Sequence, residues 1–122
     1  MNQLPTCRFG RTEQRIPLLS LGGMRFQQSW SDLPASEITD DSQTRLEATL
    51  QRAVQEGFHH IETARHYGSS ERQLGWALPR IPDSQRLLQS KVPPADDPSV
   101  FEAELERSFK RLACQRLDLL AI

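Results

Sequence analysis

The feature that most constrains the fold is a helix pattern that passes directly into a short strand. Over residues 42–56, apolar residues recur at three-to-four spacing, which predicts an amphipathic helix. Gly57 suits the left-handed residue that ends such a helix, and a strand is predicted at once over residues 58–62. Upstream, the mostly apolar residues 18–23 predict a buried strand. A strand, a helix and a strand in this order favour a parallel sheet with right-handed crossovers.

The same alternation continues to the end of the chain. We predict a hairpin over residues 6–19, a second helix over 70–78, a strand over 86–92, a third helix over 98–113 and a fourth strand over 117–122. Asp97 is a good cap for the third helix, and Ser70 with Gln73 fits a capping box for the second. The first helix can be capped by Asp40, Asp41 or Ser42.

Composition limits the classes of function to be considered. The 122 residues carry 15 Lys and Arg against 16 Asp and Glu, so there is no electrostatic reason to expect a nucleic acid or an anionic membrane as partner. The sequence shows neither a long apolar run nor a basic segment followed by an apolar one, so no spanning helix or secretion signal is predicted and the expected location is cytoplasmic. Cys7 and Cys114 are then expected to be free thiols, with a disulfide between them left open.

Three polar side chains follow the predicted strands near their carboxyl ends. Glu62 ends the strand over 58–62, Tyr67 lies on the next loop, and Lys91 lies near the end of the following strand. Neighbouring parallel strands end at the same edge, so these side chains are expected to converge. A tyrosine is a weak acid at neutral pH, a nearby ammonium stabilises its phenolate, and a carboxylate paired with that ammonium holds it in place. Such a group suits proton transfer to a carbonyl oxygen.

The stretch around Glu62 and Tyr67 resembles the signature of the aldo-keto reductases. It matches that signature at Gly57, Phe58, Ile61, Glu62, Thr63, Ala64, Tyr67, Gly68, Ser70, Glu71, Leu74 and Gly75. So many residue types at these spacings make the match specific. One position departs, because Glu62 stands where the family usually has Asp and its side chain is one methylene longer.

The resemblance implies both a fold and an activity. The fold would be α/β, the N-terminal half of a (β/α)8 TIM barrel preceded by a β-hairpin, with residues 1–122 as one incomplete domain, since a closed barrel needs about 250 residues. The activity would be NADPH-dependent reduction of a small aldehyde or ketone, without a metal. Tyr67 would be the acid, Lys91 its partner and Glu62 the counterpart of the family's Asp. The nicotinamide end of the cofactor would lie near Gly22, Gly23 and Met24.

The end of the chain leads to two further expectations. The chain stops on the last residue of a strand that is predicted to be buried, with about half the elements of a barrel, so we expect it to be a fragment. The resemblance implies a substrate-orienting histidine at the end of the fourth strand, a position that these 122 residues do not include. The two unpaired edges of a half-barrel are expected to lead to self-association or to disorder.

Other interpretations of these residues stay open. Taken singly, Glu62 could cap a turn, Tyr67 could pack with its hydroxyl on backbone, and Lys91 could be an exposed strand-end charge. The chain could also belong to a non-catalytic nucleotide-binding or regulatory relative, or be an inactive half-barrel. A Rossmann domain is disfavoured because the sequence has no G-x-G-x-x-G motif.

Four aromatic side chains near the predicted site have weaker claims to function. His59 and His60 are adjacent on a strand and point to opposite faces, so each is expected to have a structural role or to face solvent. His66 and Trp30 could contact a substrate, but a solvent or covering role is the simpler interpretation.

Overall fold

The computed structural model describes residues 3–122, which form two sheets. The first is the predicted hairpin, in which β1 (Thr6–Arg8) pairs antiparallel with β2 (Arg15–Pro17). The strands of the second are β3 (Leu21–Gly22), β4 (His60–Glu62), β5 (Leu87–Lys91) and β6 (Leu119–Ala121). They are parallel and lie in the order β3-β4-β5-β6, so strand order follows chain order as in a (β/α) barrel.

Three helices make the crossovers between these strands. They are α1 (Asp40–Gln55), α2 (Ser70–Ala77) and α3 (Pro98–Leu112). Asp97 caps α3 as predicted, because its side chain accepts a hydrogen bond from the Ser99 amide. Gly57 follows α1 with a φ of 94°, also as predicted.

Two predicted caps are wrong. Thr39 caps α1 by accepting a hydrogen bond from the Ser42 amide, so the acidic pair and Ser42 already lie inside the helix. The capping box at Ser70 and Gln73 does not form, because both side chains bond to other segments of the molecule. Residue type alone suggested Asp40, Asp41 and Ser42 and missed Thr39, because it does not fix where the extended chain turns helical.

The core lies between the parallel sheet and its helices. Ile61 of β4 and Leu88 of β5 are buried against Leu50 of α1 and Leu74 of α2. Because successive strand residues point to opposite faces, the neighbours of Ile61 and Leu88 face away from the helices. This is the side of the sheet that forms the interior of a closed (β/α) barrel. Fully burying a leucine stabilises the fold by about 1.5–3 kcal/mol. The outward-facing side chains therefore hold the sheet, and inward-facing ones at the strand ends are placed where chemistry can take place.

The strand predicted over residues 18–23 is shorter than predicted, and its first residues are not buried. Leu18 and Leu19 are 61% and 56% exposed, and β3 begins only at Leu21. The reason is the hairpin, because the Leu18 amide donates to the carbonyl of Pro5 at 2.9 Å and so extends the hairpin pairing. The edges of the parallel sheet are β3 and β6, and self-association through them stays a prediction.

Candidate active site

The loop that follows β4 is fixed by its own turn and by a second loop packed on it. Glu62 ends β4, and the loop carries Tyr67 and Gly68 to the start of α2. The Tyr67 carbonyl accepts a hydrogen bond from the Ser70 amide at 3.0 Å. Gly68 has a φ of 53°, and a side-chain carbon there would overlap the carbonyl oxygen of Ser29. Only glycine therefore combines this backbone conformation with this close approach.

Lys91, the last residue of β5, contacts both side chains that follow β4. Its ammonium donates a hydrogen bond to the Tyr67 phenol oxygen and forms an ion pair with Glu62 Oε1. The ammonium also lies 4.5 Å from the centre of the Tyr67 ring. Burial acts to lower the pKa of Lys91, but the bonds with Glu62 and Tyr67 outweigh it, so this pKa lies above its ordinary value. Lys91 is thus a cation at neutral pH, and the longer Glu62 side chain still reaches it.

The end of β3 lies against the same carboxylate. A side-chain carbon at Gly22 would lie 3.9 Å from Glu62 Oε2, and one at Gly23 would overlap the Glu62 carbonyl oxygen. Met24 follows in a short 3-10 helix, Gly23–Arg25, and is 40% exposed. The residues predicted to bind the cofactor therefore present a bare backbone edge beside Glu62, followed in the chain by the exposed side chain of Met24.

Polar side chains of α2 connect the loop after β3 with the loop after β4. Ser70 Oγ donates to the Gly23 carbonyl at 2.9 Å and shares a 2.8 Å hydrogen bond with Thr63 Oγ1. The Gln28 amide donates to Gln73 Oε1 at 2.9 Å. Sequence reasoning missed this network, although Thr63 and Ser70 are among the signature positions. The bonds fix the predicted cofactor residues relative to the Tyr67 loop.

Sequence reasoning also missed a buried ion cluster behind that loop, which we call the Arg65 cluster. The Arg65 guanidinium bonds to Glu71 of α2 at 3.0 Å, to Asp32 at 2.6 Å and to Glu104 of α3 at 3.1 Å. Burial acts to lower the pKa of Arg65, but its carboxylate partners outweigh it and raise this pKa above its ordinary value. Asp32 and Glu104 lie 33 and 39 residues from Arg65, so no local pattern signals the cluster.

The three histidines lie in different surroundings. His60 is buried, with Nδ1 2.6 Å from Ser20 Oγ and Nε2 2.8 Å from Gln89 Oε1. His59 Nδ1 lies 3.2 Å from a backbone carbonyl, and His66 is exposed. Trp30 is also exposed, and substrate contact by Trp30 or His66 stays the untested alternative to the solvent or covering role.

Further features of the described residues bear on the kind of site this is. Within residues 3–122, no three His, Cys, Asp or Glu side chains are grouped closely enough to hold a metal ion. None of the helices in that range combines the length and the apolar character needed to cross a bilayer. Cys7 and Cys114 are free thiols, and burial raises the pKa of Cys114 above its ordinary value.

The parallel sheet, its crossover helices and a polar group at the strand ends are the features of a (β/α) barrel enzyme. The model of the aldo/keto reductase family matches residues 18–122. The chain therefore belongs to the aldo/keto reductase family. No curated protein shows a significant sequence match to it.

Solved structures of aldo-keto reductases share this fold. A Pseudomonas aeruginosa protein described as an aldo-keto reductase is 29% identical to this chain, with a TM-score of 0.76. The match covers 98% of this chain and 48% of that one. A thermostable aldo-keto reductase in complex with the inhibitor epalrestat is 27% identical, with a TM-score of 0.77, over 96% of this chain and 42% of that one. An aldo/keto reductase from Klebsiella pneumoniae, in complex with NADP and acetate, matches at 24% identity and a TM-score of 0.69, over 96% of this chain and 38% of that one.

These matches show how much of the barrel fold the chain contains. The chain spans about half the length of the Pseudomonas protein. Its fold is α/β, with the hairpin followed by the N-terminal half of a (β/α)8 barrel, as predicted.

Proposed function

We propose that this chain is the N-terminal half of an NADPH-dependent aldo-keto reductase that reduces a small aldehyde or ketone. The observation that carries the proposal is the contact of the Lys91 ammonium with both the Tyr67 phenol and the Glu62 carboxylate. Membership of the family supports an oxidoreductase. Relatives with the same fold have been solved with NADP, which supports a nicotinamide cofactor.

The proton would come from Tyr67. Its phenol oxygen already accepts a hydrogen bond from Lys91, so its own hydrogen is free to be donated to a carbonyl oxygen. When that proton leaves, the negative charge that develops on the phenol lies beside a fixed ammonium, which stabilises it without rearrangement. Glu62 holds the ammonium in place and charged.

The residues at the end of β3 fit the nicotinamide end of the cofactor, which when bound supplies the hydride. Gly22 leaves a bare backbone edge next to Glu62, and the side chain of Met24, two residues further on, is exposed and can supply an apolar surface. A flat, mostly apolar ring suits such a surface. Gly23 shapes the edge by allowing the backbone to approach Glu62 closely.

Replacing Tyr67 by Phe tests the proposal, and the assay uses the full-length protein rather than the 122 residues alone. The ring and its packing stay, but the proton donor is lost, so the rate of NADPH oxidation by aldehydes is expected to fall by about 100-fold or more. NADPH binding, followed by nucleotide fluorescence, is expected to change little. An unchanged rate would overturn the role of Tyr67.

Two further measurements complete this test. Lys91→Met removes the ammonium and is expected to lower the rate as well, because the charge on the phenol is no longer stabilised. A wild-type protein that binds NADPH but reduces none of a broad panel of aldehydes and ketones would overturn the proposed activity and favour a non-catalytic relative.

A further inference from the structure

Two side chains form a polar layer directly beneath the candidate site. His60 lies two residues before Glu62 on β4, and Gln89 lies two residues before Lys91 on β5. Each therefore shares a strand face with the site residue that follows it. His60 is only 6% exposed, and both of its ring nitrogens are bonded, to Gln89 Oε1 at 2.8 Å and to Ser20 Oγ at 2.6 Å.

Gln89 is the residue on which this layer acts. It is the direct partner of Glu62 across the parallel β4–β5 pairing and faces the same side of the sheet, so an amide turned away from His60 would have the Glu62 carboxylate as a neighbour. An amide oxygen can only accept, so His60 Nε2 carries a hydrogen and donates it to Gln89 Oε1. That bond directs the Gln89 side chain toward His60 and leaves Glu62 to Lys91.

Ser20 fixes the other side of the ring. With Nε2 donating, Nδ1 of a neutral imidazole accepts a hydrogen bond from the Ser20 hydroxyl. Ser20 immediately precedes β3, so the ring connects the chain at β3 with β4 and, through Gln89, with β5. The three strands whose carboxyl ends carry the candidate site are thus linked by side chains that lie nearer to the amino ends of β3 and β4.

We propose that His60 is a positioning residue for Glu62, Lys91 and Tyr67. It acts through Gln89, by keeping that amide away from Glu62 and by holding β4 and β5 in place beneath the site. Its effect on turnover rests on the proposed reductase function, whereas its effect on the geometry of the site does not.

A pair of variants separates the two bonds of the ring. In His60→Gln the side-chain amide reaches about as far as Nε2 and can still bond to Gln89, whereas in His60→Asn it reaches only about as far as Nδ1. Displacements of about 1 Å at a catalytic group cost on the order of 100-fold in rate. We therefore expect His60→Asn to lower kcat for aldehyde reduction by about 10- to 100-fold with an unchanged KM, and His60→Gln to keep most of it.

A second readout does not depend on turnover. Tyr67 is the single tyrosine in the 122 residues, and its ¹³Cζ signal is identified as the one that is lost in Tyr67→Phe. Because the Tyr67 phenol oxygen accepts a hydrogen bond from Lys91, the chemical shift of this signal reports on that contact. At neutral pH this signal is expected to move in His60→Asn and to stay near its wild-type position in His60→Gln. If the wild type shows no turnover but the signals follow this pattern, the reductase proposal fails and the positioning role stands.

Two results would overturn the role of His60. One is a wild-type Tyr67 signal and a wild-type kcat in His60→Asn. The other is an equal loss of activity in His60→Asn and His60→Gln that matches the unfolded fraction of each variant. A histidine that only stabilises the fold would give that result.

Discussion

Replacing Arg65 by Met tests whether the Arg65 cluster holds the loops of the site together. Methionine keeps a long, apolar stem but removes the guanidinium, so three carboxylates lose their common partner. Two of them keep a second arginine, because Asp32 also bonds to Arg111 and Glu104 also bonds to Arg107, each at 2.8 Å. Both are partly exposed, so water can replace part of what they lose.

Glu71 decides the magnitude of the effect. Its side chain is 1% exposed, and after the change its remaining side-chain partner in the described structure is the hydroxyl of Ser90, 2.7 Å from Oε1. Leaving one member of a buried ion pair uncompensated costs about 3–5 kcal/mol. A partly exposed pair contributes about 0–1 kcal/mol. We therefore expect Arg65→Met to lower the free energy of unfolding by about 3–5 kcal/mol, most of it through Glu71.

Urea unfolding, followed by tryptophan fluorescence, measures this loss. With a slope of about 1–3 kcal/mol per molar urea, the midpoint is expected to fall by about 1 M or more. Arg107→Met is the matched control, because Arg107 also bonds to Glu104 but is exposed, and it is expected to cost less than about 1 kcal/mol. Adding Glu71→Gln to Arg65→Met removes the buried charge and is expected to recover part of the loss. A cost for Arg65→Met no larger than that of the control would refute the reasoning.

Two other changes test the packing of the Tyr67 loop and the pH dependence of the cluster. Gly68 and Gly10 have similar φ values, 53° and 57°, but only Gly68 lies against Ser29, so Gly68→Ala is expected to cost about 1–3 kcal/mol more than Gly10→Ala in urea unfolding. Equal costs would contradict that contact. Burial acts to raise the pKa of Asp32, but its two arginine partners outweigh it, and the pKa lies below its ordinary value of 3.8. The stability that ionised Asp32 contributes is then complete above pH 3.8 and is lost as the pH falls through the lowered pKa. The difference in the free energy of unfolding between wild type and Asp32→Asn is therefore expected to shrink in acid. An undiminished difference at about pH 2 would argue against this role of Asp32.

Local patterns were sufficient wherever an element's end is set by its immediate neighbours. Asp97 stands directly before a proline that suits the first turn of a helix, and the start of α3 was predicted correctly. The cap of α1 was not, because several suitable residues are adjacent and the chain turns helical after Thr39. Leu18 and Leu19 were wrongly expected to be buried, since hydrophobicity says which residues favour burial and not which ones another element covers.

The candidate site divides in the same way. That Glu62, Tyr67 and Lys91 would lie at one edge follows from topology, because neighbouring parallel strands end together; their catalytic roles stay predictions. The partners of Arg65 depend on how α3 and the long loop before α1 pack, which no periodicity encodes. The partners of His60 likewise depend on side-chain directions across three strands, so the sequence predicted a structural histidine without its neighbours.

The end of β5 links the scaffold to the proposed chemistry. Ser90 faces the helices and bonds to Glu71, whereas Lys91 faces the interior and bonds to Tyr67. The Arg65 amide also donates to the Lys91 carbonyl at 2.8 Å, so the cluster holds the backbone of the residue whose ammonium contacts the phenol. If the cluster positions that backbone, the folded fraction of Arg65→Met should turn over more slowly as well as unfold more easily. Tyr67→Phe should lose turnover without a comparable loss of stability. This contrast separates a residue that takes part in the reaction from one that positions the reacting side chains.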